Sequence, residues 1–326
     1  MNDRALTVLE SYDIEVKHTG KGRGTIICDT NLGLLALKEY KGSPEKLELM
    51  DRLQRNMRGY VRTDMLVRNK EGQLYTKDAD GTVYLLKEQI EGKECNYKSE
   101  EEIRQAFCTM AKLHKGMTNA EDKELLGLPF HSYVEEMEKH TKECRRILNY
   151  LNRLKSRTEF EKALLHEYGY FMEKAADITQ KAKSEDMKSY EQEINQRGYF
   201  YHGDYQYHNV LFTQNDICVI NLERFGKDSG VRDLYLLFRK IAEKTDWSLS
   251  LGNRMIEAYE ANRTLQPFEW KQFIYRLAYP DKFWKIVNFY YNSKKSWIPD
   301  KNLEKLENLV NQEKAKERMV NMLLGT

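Results

Sequence analysis

The residues best suited to chemistry lie in one short run, His202-Gly203-Asp204-Tyr205-Gln206-Tyr207-His208-Asn209. Transfer of a phosphoryl group to a hydroxyl needs a carboxylate that orients the acceptor, a nearby ligand for magnesium, and a second acidic ligand holding the metal on the phosphates. In loops that do this work the base Asp stands five positions before a metal-binding Asn and two after a His. His202, Asp204 and Asn209 meet these spacings. Taken alone, His-x-Asp is also what an ordinary turn looks like, with Asn209 as a hairpin cap. The flanking apolar runs favour the chemical reading. Val210-Leu211-Phe212 and Ile217-Cys218-Val219-Ile220 are joined by the polar turn Thr213 to Asp216, which predicts a small hairpin able to hold such a loop.

The elements around this loop follow from periodicity and turn residues. Val16 to Asp29 predicts two strands about a glycine-containing turn, and Gly33 to Tyr40 a third. Ser43-Pro44 opens a helix bearing Leu47, Met50 and Leu53. Strands are expected again at Met65 to Arg68, Gln73 to Tyr75 and Thr82 to Ile90. After Ile90-Glu91-Gly92 the pattern turns helical. Ser99 to Glu102 reads as a capping box, and two longer helices carry core stripes, Val134 to Leu154 and Phe160 to Ile178. Apart from the hairpin, the rest is helical from Arg232 onward. The chain is therefore expected to be α+β and two-lobed in the protein-kinase-like manner, with a β-rich N-lobe over 1–92 and a larger helical C-lobe over 93–326 that carries the loop and hairpin.

Composition removes several alternatives. The 53 basic and 51 acidic residues leave a net charge of +2, so no global field points to nucleic acid or a membrane surface. Cys28, Cys95, Cys108, Cys144 and Cys218 are scattered, odd in number and form no CxxC pair, which argues against a zinc site or a disulfide framework. No signal-like apolar run opens the chain and no stretch is long enough to span a bilayer, so a cytoplasmic location is expected.

His-Gly-Asp-x-x-x-x-Asn-Val-Leu resembles the aminoglycoside phosphotransferase and choline kinase superfamily. Within it, Tyr279-Pro280-Asp281-Lys282-Phe283-Trp284-Lys285, Tyr290-Tyr291-Asn292-Ser293-Lys294-Lys295 and Ser296-Trp297-Ile298-Pro299 resemble the CotS-type spore coat proteins. The resemblance implies an aminoglycoside phosphotransferase-like fold, ATP and Mg2+ as cofactors, a small-molecule acceptor, a role in endospore formation with coat proteins as partners, and a mother-cell cytoplasmic protein deposited in the coat. It makes Asp204 the catalytic carboxylate and Lys38, in Leu35-Ala36-Leu37-Lys38, the phosphate-binding lysine. Glu48 is preferred over Glu45 as the ion-pair partner of Lys38. Gln89 and Ile90 belong to the hinge expected to meet adenine, and Gly22, in Gly20-Lys21-Gly22-Arg23-Gly24, to a loop approaching the phosphates. His202 and Asp233 are implied as structural supports, although Asp233 is equally read as a helix N-cap. His114, in Leu113-His114, is expected to be structural, and Tyr205, Tyr207 and His208 either pack or shape the acceptor site.

One departure divides the functional readings. Where the superfamily has Ile-Asp-Phe-Asp or Ile-Asp-Phe-Glu, this chain has Ile220-Asn221-Leu222-Glu223. An amide oxygen can ligate magnesium but brings no charge, and magnesium is commonly held by one or two carboxylates. Asn209, Asn221 and Glu223 are the candidate metal ligands. The chain is thus either an ATP-dependent phosphotransferase acting on a hydroxyl, or a pseudokinase that serves the coat as a scaffold.

Overall fold

A computed structural model of the chain describes residues 6–292 and 299–325. Ser293-Lys294-Lys295 and Ser296-Trp297-Ile298 of the coat-protein signature lie outside the described residues. Contacts divide the chain into two units. The first comprises Met1–Leu128, Arg197–Gly226 and Ala258–Arg263; the second comprises Pro129–Gln196, Lys227–Glu257 and Thr264–Thr326.

The first unit begins with β1 (Val16–Lys21), β2 (Ile26–Thr30), β3 (Gly33–Glu39) and helix α1 (Pro44–Asn56). Short strands β4 (Arg62–Thr63), β5 (Leu66–Val67) and β6 (Thr76–Lys77) follow, then β7 (Val83–Glu88), β8 (Lys93–Glu94), and helices α2 (Glu100–Gly116) and α3 (Lys123–Leu126). The same unit holds β9 (Phe200–Tyr201) and the hairpin β10 (Val210–Phe212) and β11 (Ile217–Val219). The main sheet runs β1-β2-β3-β7-β5, antiparallel throughout, with β6 also on β7.

Strand alternation sorts the residues of β3 and β7 by chemistry. Leu35, Leu37, Tyr84 and Leu86 join Val8, Leu9, Tyr12 and Cys28 in a buried cluster. Ala36 stands opposite Lys87 and Lys38 opposite Leu85. Directly paired residues project to the same side of a sheet, so Lys38 and Lys87 share the face away from that cluster. A second sheet, β4-β11-β10-β8, contains a parallel step in which Arg62 pairs with Cys218 and Thr63 with Val219. It places Asp64, just past β4, beside Ile220 and Asn221, just past β11.

Two local expectations are corrected. Gln73 to Tyr75 is a turn rather than a strand. Asn69 Oδ1 accepts from the Glu71 and Gln73 N–H groups at 3.0 and 2.9 Å, and its Nδ2 donates to the Tyr75 carbonyl at 3.0 Å, so ladder pairing starts only at Thr76. At α2 only half of the capping box forms. Ser99 caps the Glu102 N–H at 3.3 Å, while the Glu102 carboxylate accepts from the Asn96 N–H and Lys93.

The second unit is built from α4 (Tyr133–Leu151), α5 (Glu159–Lys183), α6 (Met187–Arg197), α7 (Val231–Ala242), α8 (Leu249–Glu260), α9 (Pro267–Ala278), α10 (Asp281–Asn292) and α11 (Pro299–Leu324). The expected stripes of α4 and α5 do form core: Cys144, Leu151, Phe160, Leu164, Tyr168 and Phe171 cluster with Phe283, Ile286 and Val287 of α10. Trp284 of the signature stacks on His140 at 3.4 Å and donates to Glu143 at 2.7 Å, a packing role. Among the described residues no helix is long and apolar enough to cross a membrane.

Candidate functional site

The loop from His202 to Asn209 is braced from within the first unit. Gly203 adopts φ 84°, and a Cβ there would stand 2.1 Å from the Arg224 carbonyl oxygen, so the position requires glycine. His202 is fully buried. Its Nε2 meets the Ile220 carbonyl at 3.0 Å and its Nδ1 accepts the Asp204 N–H at 3.1 Å, the pattern of a neutral imidazole that ties loop to hairpin. Asn209 Nδ2 donates to the Asp204 carbonyl at 2.8 Å, and its own carbonyl accepts the Ile220 N–H at 3.0 Å. The Asp204 side chain stays partly exposed. Gln206 Nε2 donates to one carboxylate oxygen, and Arg224 lies 3.8 Å from the other. Tyr205 donates to the Ala106 carbonyl at 2.8 Å and packs, Tyr207 packs against Tyr97, and His114 is buried with its Nδ1 2.8 Å from the Tyr259 hydroxyl.

A cluster of two ammoniums and two carboxylates lies beside the loop. Lys38 Nζ donates to Asn221 Oδ1 and Glu223 Oε1, each at 3.0 Å. Lys87 Nζ donates to the same two oxygens at 2.8 Å and to Asp64 Oδ2 at 2.6 Å. The Asn221 N–H points at both Asp64 carboxylate oxygens, at 3.1 and 3.2 Å. Asn221 itself sits at φ 68°, a left-handed conformation that Asn and Asp tolerate better than other side chains. Burial opposes ionisation of Glu223, yet Lys87 and Lys38 override it and bring its carboxyl down to about 2. Burial likewise opposes charge on Lys87, and the adjacent Asp64 and Glu223 outweigh it, so its ammonium is held on.

Lys87 and Asp64 join this cluster without being expected from the sequence, and the expected partner of Lys38 is corrected. Glu48 accepts from Arg68 at 3.0 and 2.9 Å, and Arg68 also reaches Asp51 at 2.8 Å. That fork of guanidinium bonds on α1 leaves Glu223 as the carboxylate on Lys38. The only hint in the sequence is Lys87 itself, a charge directly after the apolar run Val83-Tyr84-Leu85-Leu86 and on the parity of Leu85.

The cleft against this cluster has a volume of about 740 Å³. Ile27, Ala36, Ile90, Leu211 and Ile220 supply apolar wall; Lys38, Lys46, Asp204, His208 and Arg224 supply polar groups. Gly22 and Gln89, from the expected phosphate loop and hinge, also line it. A Cβ on Gly22 would stand 2.4 Å from Thr25 Oγ1, so a larger residue there would have to shift that side chain. Asp233 is fully buried in the first turn of α7, in the second unit; the cap position of that helix is Gly230, which corrects the N-cap alternative.

Asn209, Asn221 and Glu223 do come together, but not as a magnesium site. Asn221 Nδ2 donates to Asn209 Oδ1 at 2.9 Å, and Asn221 Oδ1 and Glu223 Oε1 each accept from two lysines. Magnesium demands near-octahedral oxygen ligands at 2.0–2.1 Å. Here the oxygens face hydrogen-bond donors, and the charge that magnesium would balance is already balanced. As arranged, these residues do not fit the ion. Among the described residues no group of three or more His, Cys, Asp and Glu side chains is placed to hold a metal.

The family described as "Spore coat putative kinase YutH" matches residues 6–323. The chain belongs to that family. No curated protein sequence matches it. Among solved structures it is similar to an aminoglycoside phosphotransferase from Alicyclobacillus acidocaldarius, at 18% identity over 98% of this chain and 95% of that one, with a TM-score of 0.84. It is also similar to spectinomycin phosphotransferase APH(9)-Ia in complex with ADP and spectinomycin, at 12% identity, 95% and 97% coverage and a TM-score of 0.67. Amicoumacin kinase hAmiN, in complex with AMP-PNP, Ca2+ and Ami, matches at 9% identity, 96% and 92% coverage and a TM-score of 0.62. At these identities the likeness concerns the fold, which is aminoglycoside phosphotransferase-like as expected, with an antiparallel β-rich part and a helical part.

Proposed function

We propose that this spore coat protein is a pseudokinase: a nucleotide-binding member of the phosphotransferase fold whose working property is occupancy of the cleft rather than rapid phosphoryl transfer. The observation that carries this reading is the double engagement of Asn221 and Glu223 by Lys38 and Lys87, which takes the expected magnesium ligands out of use. Rate in this reaction rests on charge neutralisation and in-line placement of the phosphates, and the metal supplies much of both. Nucleotide binding is supported by the apolar residues in the cleft wall, by Gly22, Gln89 and Ile90 along it, and by Lys38, which keeps one of its three N–H donors for a phosphate oxygen. The ADP and AMP-PNP held by the spectinomycin and amicoumacin enzymes make ATP the ligand to try first.

In this reading residues 1–92 form the nucleotide-binding lobe and 93–326 the helical lobe. The protein works in the mother cell and reaches the coat, where other coat proteins are its partners. The test is a thermal-shift titration with ATP alongside a sensitive assay for γ-phosphate loss. A shift with no turnover supports the pseudokinase; no shift with ATP refutes it.

A second reading, a slow phosphotransferase, is favoured by the braced loop. Asp204 remains partly exposed in the cleft with Arg224 beside it, as a carboxylate that orients an acceptor hydroxyl must be. It requires turnover that Asp204→Ala abolishes while ATP binding survives.

A further inference from the structure

We infer that Lys87 is a resident cation: its ammonium fills the place among Asn221, Glu223 and Asp64 that a divalent ion would need, so that the cleft binds ATP without metal. This rests on the reading of the cleft as a nucleotide site.

An ammonium has three N–H donors, and Lys87 finds three oxygen acceptors, at 2.8, 2.8 and 2.6 Å. Its side chain is only 6% exposed, so it makes these bonds in place of water. The strand register prepares the position. Lys87 stands opposite Ala36, the smallest side chain on that face, which leaves its path toward Asn221 clear. Asp64 is the less expected part of the arrangement. It is buried, both its carboxylate oxygens are committed to the Asn221 N–H and Lys87, and β4 carries it in through its parallel pairing with β11. A carboxylate so placed stands at the cleft wall with both oxygens already engaged, and serves the lysine.

Charge decides what else can enter. Lys38 and Lys87 already balance Glu223 and Asp64, and a buried ion is tolerated only when paired. A magnesium ion would add two positive charges to a balanced cluster and would have to displace at least one ammonium to find ligands. A metal-free triphosphate meets the opposite situation. Lys38 offers it a partly open ammonium, and Lys46 and Arg224 lie along the same cleft, with Lys46 4.7 Å from the centre of the Phe225 ring. The cations needed to hold phosphates are thus built into the chain, whereas the bridge that activates the γ-phosphate is not.

The experiment is calorimetric titration of ATP into the full chain in EDTA and, separately, in millimolar magnesium chloride. The expected result is saturable binding in both buffers, with Kd values within about threefold, less than the tenfold that corresponds to 1.4 kcal/mol. Binding seen only with magnesium, or more than about tenfold tighter with it, overturns the inference and leaves the nucleotide site standing. No binding in either buffer overturns both. A second measurement uses Lys87→Met and Lys87→Gln with manganese alone, read by the loss of free-ion paramagnetic signal. The expected result is manganese binding that appears in a folded variant and is absent from wild type. Manganese bound equally by wild type, or by no folded variant, overturns the inference; if neither variant folds, the two ATP titrations on wild type decide it.

Discussion

Asn221→Asp restores the charge that the superfamily carries here, and the structure sets what it must do. In the native chain Asn221 Oδ1 accepts from Lys38 and Lys87, while Nδ2 donates to Asn209 Oδ1 at 2.9 Å. Substitution keeps the first two bonds and strengthens them with charge, by about 1 kcal/mol each at most, on the difference between neutral and charged hydrogen bonds. It turns the third into a contact between two oxygens. Asn209 cannot escape by flipping its amide, because its Nδ2 holds the Asp204 carbonyl at 2.8 Å. Loss of that bond and the unmet oxygens cost about 1–3 kcal/mol, so without metal the variant should be about as stable as wild type or slightly less so. A divalent ion between the two oxygens removes the conflict. Where the ion is present at about a hundredfold over its Kd, it stabilises the folded state by about 2.7 kcal/mol, on the order of 5 °C in Tm for a chain this size. The assay is thermal unfolding of both proteins in EDTA and in manganese. Wild type should not respond, and the variant should. A variant that melts identically in both buffers would show that one added negative charge does not admit an ion while Lys87 holds its place. An equal response from wild type would show that the ligands were free from the start.

Glu223 lies at about 2 against an ordinary 4.5, so its stabilising share is full above the ordinary value and is lost as pH falls toward 2. It amounts to roughly 3 kcal/mol, and Glu223→Gln should flatten the loss of stability measured by denaturant unfolding between about pH 5 and 2; an unchanged acid limb would count against the cluster. Gly203→Ala forces a side chain into a left-handed position against the Arg224 carbonyl and should cost at least 2 kcal/mol or so in chemical denaturation. Lys38→Met should weaken ATP binding at least tenfold by calorimetry, whereas Glu48→Gln, which touches Arg68 instead, should leave it within about twofold. Equal losses in the two variants would return Glu48 to the site.

What the sequence made legible was local. Spacings of two and five residues mark the loop from His202 to Asn209, and alternation marks the hairpin that holds it; neither depends on a distant partner. Lys38 was legible through the strand that carries it. Lys87 and Asp64 were not, because what makes them matter is pairing between segments far apart in the chain. Lys87 reaches Asn221 only once β3 and β7 are in register, and Asp64 reaches it only through the parallel step between β4 and β11. Glu48 failed for a related reason: its carboxylate is taken by Arg68, which directly follows β5 and is held there by the pairing of β5 with β7. The Asn at 221 was visible as a departure from the superfamily. That two lysines converge on it required the fold.

In the proposed state the cleft holds nucleotide against Lys38 while Lys87 keeps metal out. Crystals grown with ATP and manganese, measured at a wavelength where manganese scatters anomalously, test both halves at once. The account predicts nucleotide density in the cleft with its phosphates at Lys38, Lys87 still bonded to Asn221, Glu223 and Asp64, and no anomalous peak among Asn209, Asn221 and Glu223. A manganese peak at those three residues, with the Lys87 ammonium displaced, would contradict it.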